Sequence, residues 1–198
     1  DSAIVLSALI KERAEQISSN HWRAEAFNLM GISYYVKGDL AVAMVNFRSA
    51  LRLHKSTNYL IGQSTVLTNM ANIYDDIGNP EKALELYEES LQLEKGNEDK
   101  VGLGGIYMNI GVIYFGQGLQ EKAKQMYLKS LHLLEEENYE RGVAVVLNNL
   151  AAVYQMLGVL DTAQELYNKS LSIRRNYNDE YGIARCLDNL SELKRIQG

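Results

Sequence analysis

Apolar and small residues recur along this chain in phase, forty residues apart. Tyr34, Tyr74, Tyr114 and Tyr154 form one set; Gly38, Gly78, Gly118 and Gly158 form another. Ala43, Ala83, Ala123 and Ala163 follow the same step. Phe47 is succeeded by Tyr87, Tyr127 and Tyr167, and Leu51 by Leu91, Leu131 and Leu171. A small residue returns at Gly31, Ala71, Gly111, Ala151 and Ser191. So many registers in phase define a structural repeat, and a period of this size marks a solenoid whose units contact only their neighbours.

Inside one period the spacing is helical. Val66, Leu67, Met70, Ala71, Ile73, Tyr74 and Ile77 follow the i, i+3, i+4 pattern of an amphipathic helix. Gly78 supplies a left-handed residue to end it. Asn79 is placed to cap the next helix, with Pro80 at its first position, where a missing N–H costs nothing. That second helix turns Ala83, Leu84, Leu86, Tyr87, Leu91 and Leu93 inward and ends in the polar Gly96-Asn97-Glu98-Asp99. Asp39, Gln120 and Asp161 stand near the equivalent helix starts. The reading is a single array over 1–198, with residues 1–20 as an N-terminal cap built on a helix from about Ser2 to Ser18. Helix pairs follow at about 22–56, 62–96, 102–137 and 142–177. A last helix over 181–197 closes the stack, with Arg185, Asp188, Glu192, Lys194 and Arg195 outward.

These units resemble tetratricopeptide repeats. Phe27, Met30, Gly31, Tyr34, Ala43 and Phe47 match the family pattern in the first unit; Leu147, Leu150, Ala151, Tyr154, Ala163 and Tyr167 match it in the fourth. The resemblance implies an all-α fold, a right-handed superhelical solenoid of antiparallel helix pairs. Small residues would let paired helices approach, and aromatics would fill the space between units. The unit is longer than the family's usual 34 residues, and Lys95 stands where a proline is common. Gly62, Gly102, Gly142 and Gly182 recur in the same way. Such forty-residue units are similar to the arrays of Pins/LGN-type scaffolds, of Rap-type regulators and of bacterial sensor proteins.

In arrays of this kind the side of the first helix opposite the core lines a concave groove. Here that side carries Thr65, Thr68, Asn69, Asn72, Asp75 and Asp76 in the second unit, and Glu25, Asn28, Leu29, Ile32, Tyr35 and Val36 in the first. It carries Met108, Asn109, Val112 and Phe115 in the third, and Val145, Asn148, Asn149, Ala152, Gln155 and Met156 in the fourth. Asn69, Asn109, Asn149 and Asn189 form a ladder along it. A carboxamide both donates and accepts, so such a row suits pairing with the backbone of an extended peptide. The alternative is that each asparagine bonds a neighbouring helix. Asp75 and Asp76 would meet a basic ligand group or solvate a helix end. The candidate peptide-binding set is therefore Asn69, Asn72, Asn109, Asn149, Asn189, Met108, Val112, Phe115, Asn148 and Met156. The chaperone-tail subtype needs Lys or Arg where this chain has Glu25, Leu29, Thr68 and Asn69.

Composition narrows the partners. A net charge of −5 with scattered Lys and Arg disfavours nucleic acid and anionic membranes. No run reaches the length of a membrane span. Cys186, the only cysteine, aligns with Val66 and Ile106 and reads as a buried small hydrophobe; it excludes an internal disulfide and suits a reducing compartment. The chain opens on Asp1 without a signal-like leader. A cytoplasmic location is expected, with a periplasmic or secreted form after signal removal left open. No phosphate loop or nucleophile elbow occurs, and Glu135, Glu136 and Glu137 read as a solvated charge run. His21, His54 and His132 lack ligand spacing and read as surface or edge residues. The expectation is a non-enzymatic module without cofactor or metal that binds a protein or peptide, as a sensory or docking segment of a signalling protein. Self-association through its ends or groove is the alternative.

Overall fold

The computed structural model describes residues 2–16, 18–94 and 99–197. Among them ten α-helices follow in order: α1 Ser2–Gln16, α2 Asn20–Val36, α3 Leu40–Ser56, α4 Leu60–Asp76, α5 Pro80–Leu93, α6 Lys100–Gly116, α7 Gln120–Glu136, α8 Glu140–Met156, α9 Leu160–Asn176 and α10 Glu180–Gln197. No described residue is in a strand. Lys95 and the polar Gly96-Asn97-Glu98 lie outside the described residues, as does position 17; the first helix ends at Gln16, short of the boundary expected near Ser18. The first helix of each pair begins two residues earlier than the periodicity suggests, because the recurring glycine at 62, 102, 142 and 182 sits inside the first turn rather than before it.

The chain forms two compact units, Asp1–Glu98 and Asp99–Gly198. In the first, α2 packs on α3, α3 on α4 and α4 on α5, and α1 packs on α2. In the second, α6, α7, α8, α9 and α10 stack in the same manner. Within each unit successive first helices also touch, α2 with α4, α6 with α8 and α8 with α10.

The core is built on one recurring contact. Phe47, Tyr87, Tyr127 and Tyr167 are each at most 2% exposed and lie beside the fully buried alanines one turn earlier. A Cβ at Gly31 would stand 2.5 Å from the Phe47 ring, and one at Gly111 would stand 2.6 Å from the Tyr127 ring. The small position exists to admit the ring of the partner helix. Burial pushes the Tyr127 phenol far up, and burial followed by Cys186 raises Tyr167 to about 12. The set at Tyr34, Tyr74, Tyr114 and Tyr154, expected to fill the space between units, is only half-buried. The rings of Tyr114 and Tyr154 nonetheless pack against the apolar core of the second unit, and the backbone of the set closes the helix end. Gly78, at φ 75°, donates its N–H to the Asp75 carbonyl, while Asn79 donates to Tyr74 at 2.8 Å. This pair of bonds is the Schellman closure of a helix end, and it recurs at Gly38, Gly118 and Gly158.

The opposite turns use the same closure with asparagine. Asn58, Asn138 and Asn178 have φ of 51–52°. The N–H groups of Tyr59, Tyr139 and Asp179 bond the carbonyls of His54, Leu134 and Arg174. Asparagine tolerates this region better than other side-chain-bearing residues. The capping expected of Asn79 and Asp39 is present, each side chain accepting from the backbone N–H three residues on. Gln120 and Asp161 instead lie within the helix, after Leu119 and Val159, whose side chains make no capping bond.

A second buried ladder follows the same period. Ser90, Ser130 and Ser170 are fully buried and donate to the carbonyls of Ser64, Gly104 and Ala144 at 3.0, 2.7 and 2.7 Å, tying the two helices of each pair. They too are forty residues apart. Cys186 is buried as expected, 3.3 Å from the Ser170 hydroxyl. No described helix is long and apolar enough to cross a membrane.

Candidate functional site

The side of the first helices turned away from the core carries the residues that the resemblance to tetratricopeptide arrays implies for binding. In the first unit Leu29, Ile32 and Val36 are exposed on α2. On α4, Asp76 neither awaits a ligand nor simply solvates a helix end: it accepts a 2.6 Å hydrogen bond from the Tyr35 hydroxyl. Burial first, then the Asp76 carboxylate, raises the Tyr35 phenol to about 12. Burial and the Asp76 charge also raise the neighbouring Asp75 carboxyl. Asn69 donates to the Asn28 carboxamide at 3.1 Å, and Asn72 accepts from the buried Tyr87 hydroxyl.

The second unit repeats this link. Asn189 donates to Asn148 at 3.0 Å, and Asn148 is only 3% exposed. Asn69 and Asn189 therefore bond the preceding first helix through an asparagine forty-one positions earlier. Helix-to-helix bonding, one of the two readings open from sequence, is realised at these two rungs. Asn109 and Asn149 are half-buried on α6 and α8. Val112 and Met156 are exposed, while Met108 and Phe115 lie half-buried against the apolar core around Tyr127 and Leu147.

The second unit also holds a cleft of about 570 Å³. Val101 and Met108 of α6, Val145 of α8 and Ile173 of α9 give it an apolar wall, and Arg141, Arg174, Tyr177 and Asp179 stand around it. Arg141 lies over the Tyr177 ring at 5.2 Å, whose hydroxyl donates to Glu140 at 2.7 Å. Arg174 is nearly buried, donates from Nε to the Ser170 hydroxyl at 3.3 Å, and pairs through Nη1 with Asp179. Met108 and Val145 connect the cleft to the outer side of α6 and α8. Nothing in the sequence pattern separated this cleft from the rest of the groove, because α9 and the turn after it complete it.

The histidines need a correction. His132 is exposed, with Glu136 3.3 Å away, as a surface histidine should be. His54 is not at an edge; it is fully buried. His21 lies in the first turn of α2. His21, Glu25 and His54 form the one group among the described residues that could hold a metal ion, one ligand atom from each lying within 4.8 Å of the others.

The tetratricopeptide repeat model matches residues 22–95, 62–136 and 142–198. The chain belongs to the tetratricopeptide repeat family. Its fold is shared by solved structures of low identity. BtubC (BKLC) from P. vanneervenii is 21% identical with a TM-score of 0.75, over 99% of this chain and 90% of that one. The apo form of RapI is 20% identical with a TM-score of 0.82, over 98% of this chain and 74% of that one. A Rap protein complexed with competence and sporulation factor is 18% identical with a TM-score of 0.80, over 96% of this chain and 59% of that one. No curated protein matches the chain in sequence.

Proposed function

We propose that this chain is a non-catalytic peptide-binding module, a docking or sensory segment of a signalling protein. The observation that carries the reading is the cleft beside Met108 and Val145, an apolar recess opening on the face where Asn109, Asn149, Val112, Phe115 and Met156 stand. An apolar recess with a few polar groups at its rim is the usual form of a site that seats one anchor side chain. Half-buried asparagines alongside supply donors and acceptors for an extended backbone, and a methionine wall adapts to the anchor's shape. Arg141 at the rim would meet a carboxylate next to the anchor. The Rap complex with competence and sporulation factor supports the reading as a likeness of fold to a protein solved with a bound factor.

The test is selection of peptides from a random displayed library on the whole chain, followed by fluorescence polarisation with the enriched sequences. Met108→Asp and Val145→Asp should each weaken binding by about ten- to a hundredfold, the cost of desolvating a carboxylate in an apolar wall. The double substitution Asn109→Ala, Asn149→Ala should weaken it about five- to a hundredfold with the melting temperature kept within a few degrees. Binding indifferent to all of these variants removes the cleft from the account. Light scattering on the same proteins reads the other possibility: an oligomer that Met108→Asp dissociates would assign this face to self-association.

A further inference from the structure

His54 is a buried imidazole without a hydrogen-bond partner at either ring nitrogen. A neutral imidazole carries one N–H and one lone pair, and buried polar groups are almost always satisfied. Glu25 Oε1 lies 3.7 Å from Nε2, beyond hydrogen-bond range. That separation is close to the roughly 3.4 Å edge of a tetrahedron with metal bonds of about 2.1 Å. His21 and Glu25 are i and i+4 on α2, so both face the end of α3 that presents His54. The rings around them fix the side chains. Tyr59 stands 5.0 Å from His21 and 5.4 Å from His54, and Trp22 stands 5.3 Å from His21. Gly62 leaves room for the buried ring, since a Cβ there would sit 2.6 Å from His54 Nδ1.

We propose that His21, Glu25 and His54 form a binding site for one divalent transition-metal ion, with Zn²⁺ the best match. Two imidazoles and one carboxylate are a recognised zinc ligand set, leaving a fourth position for water. Ca²⁺ and Mg²⁺ favour oxygen ligands and fit poorly. His21 and Glu25 are half-exposed, which gives an ion entry from solvent, while His54 supplies the buried ligand. The ion would tie α2 to the C-terminal end of α3. The site owes nothing to the cleft of the second unit, so each proposal stands or falls alone.

The test uses the whole chain, stripped with chelator and dialysed. Zn²⁺ titrated in a calorimeter should bind one per chain, and it should raise the melting temperature by several degrees at saturation, because the ion binds only the folded form. Co²⁺ in its place should give the strong visible absorption of a four-coordinate site. Cu²⁺ should quench Trp22, the only tryptophan, through its contact with His21. His54→Leu, which places in this slot the residue the third repeat carries at Leu134, should weaken Zn²⁺ binding about a hundredfold or more, and His21→Ala should do the same. His132→Ala should leave binding unchanged. If His54→Leu fails to fold, His21→Ala carries the comparison. Absence of one-to-one Zn²⁺ binding in a large excess of the ion overturns the proposal. So does binding that survives the loss of either histidine in a folded variant.

Discussion

His54 in the first unit and Arg174 in the second occupy the same place in their turns. Each lies in the last turn of its helix, is buried, and accepts the N–H of the residue five positions on, Tyr59 or Asp179. Each faces a glycine in the next helix, Gly62 or Gly182. The Schellman closure brings His54 against Tyr59 and Arg174 against Asp179, since the residue after the left-handed position habitually touches the third from the helix end. The surroundings then diverge. Arg174 finds Asp179 and Ser170, whereas His54 finds the ring of Tyr59 and no partner for its nitrogens. Leu134 with Tyr139 is the apolar version, and it forms part of the cleft wall. The backbone fixes a slot; the pair of residues that fills it decides whether the slot is an ion pair, an apolar wall or an unsatisfied imidazole.

Asp179→Ala should break this comparison most severely. It leaves the nearly buried Arg174 guanidinium without its carboxylate and should lower the urea midpoint more than any other substitution named here. Gly182→Ala and Gly62→Ala come next, at about 1–3 kcal/mol each, because the added methyl meets Arg174 in one and His54 in the other. Gly78→Ala is the control. Its φ of 75° is strained for alanine but the space is open, so about 1 kcal/mol is expected. Equal melting losses at Gly62 and Gly78 would mean that the slot is not tightly filled.

In metal-free protein His54→Leu should leave stability unchanged or raise it by about 1 kcal/mol, since it removes two unsatisfied nitrogens from a site where leucine fits elsewhere. A clear loss would show that the ring has partners in solution. The smallest effect is on pH dependence. The Gly182 N–H, and then Arg174, hold the Asp179 carboxyl below its ordinary 3.8. A depressed carboxyl stabilises the fold above its unfolded pKa, and the contribution is lost as pH falls through the folded value. Urea midpoints measured from pH 6 down to pH 3 should therefore fall less steeply for Asp179→Asn than for the wild type.

The periodicity alone carried the pairing of helices, the glycine closures at Gly38 and Gly78, the alanine–aromatic core and the burial of Cys186. Each is a local property repeated at a fixed interval, so neighbouring copies reinforce one another. The serine ladder at Ser90, Ser130 and Ser170 and the left-handed asparagines at Asn58, Asn138 and Asn178 were written in the same period but are quieter, because polar residues in phase look like surface. The Tyr34 set carries two tasks at one position: the Tyr154 ring packs against two successive core clusters, and its carbonyl closes the helix end.

What the sequence determined by itself is therefore the unit: which residues turn inward, where helices stop, and to which family the repeat belongs. Tertiary structure alone decided how single departures from the repeat combine. His21 and His54 are separated by most of a helix pair and share no ligand spacing, yet the packing of α2 on α3 sets them beside Glu25. The cleft arises likewise from α6, α8 and α9 together. Repetition can be read along the chain because helical period and turn chemistry are local. Juxtaposition cannot, because it depends on which faces of separate helices meet when the apolar surfaces are buried.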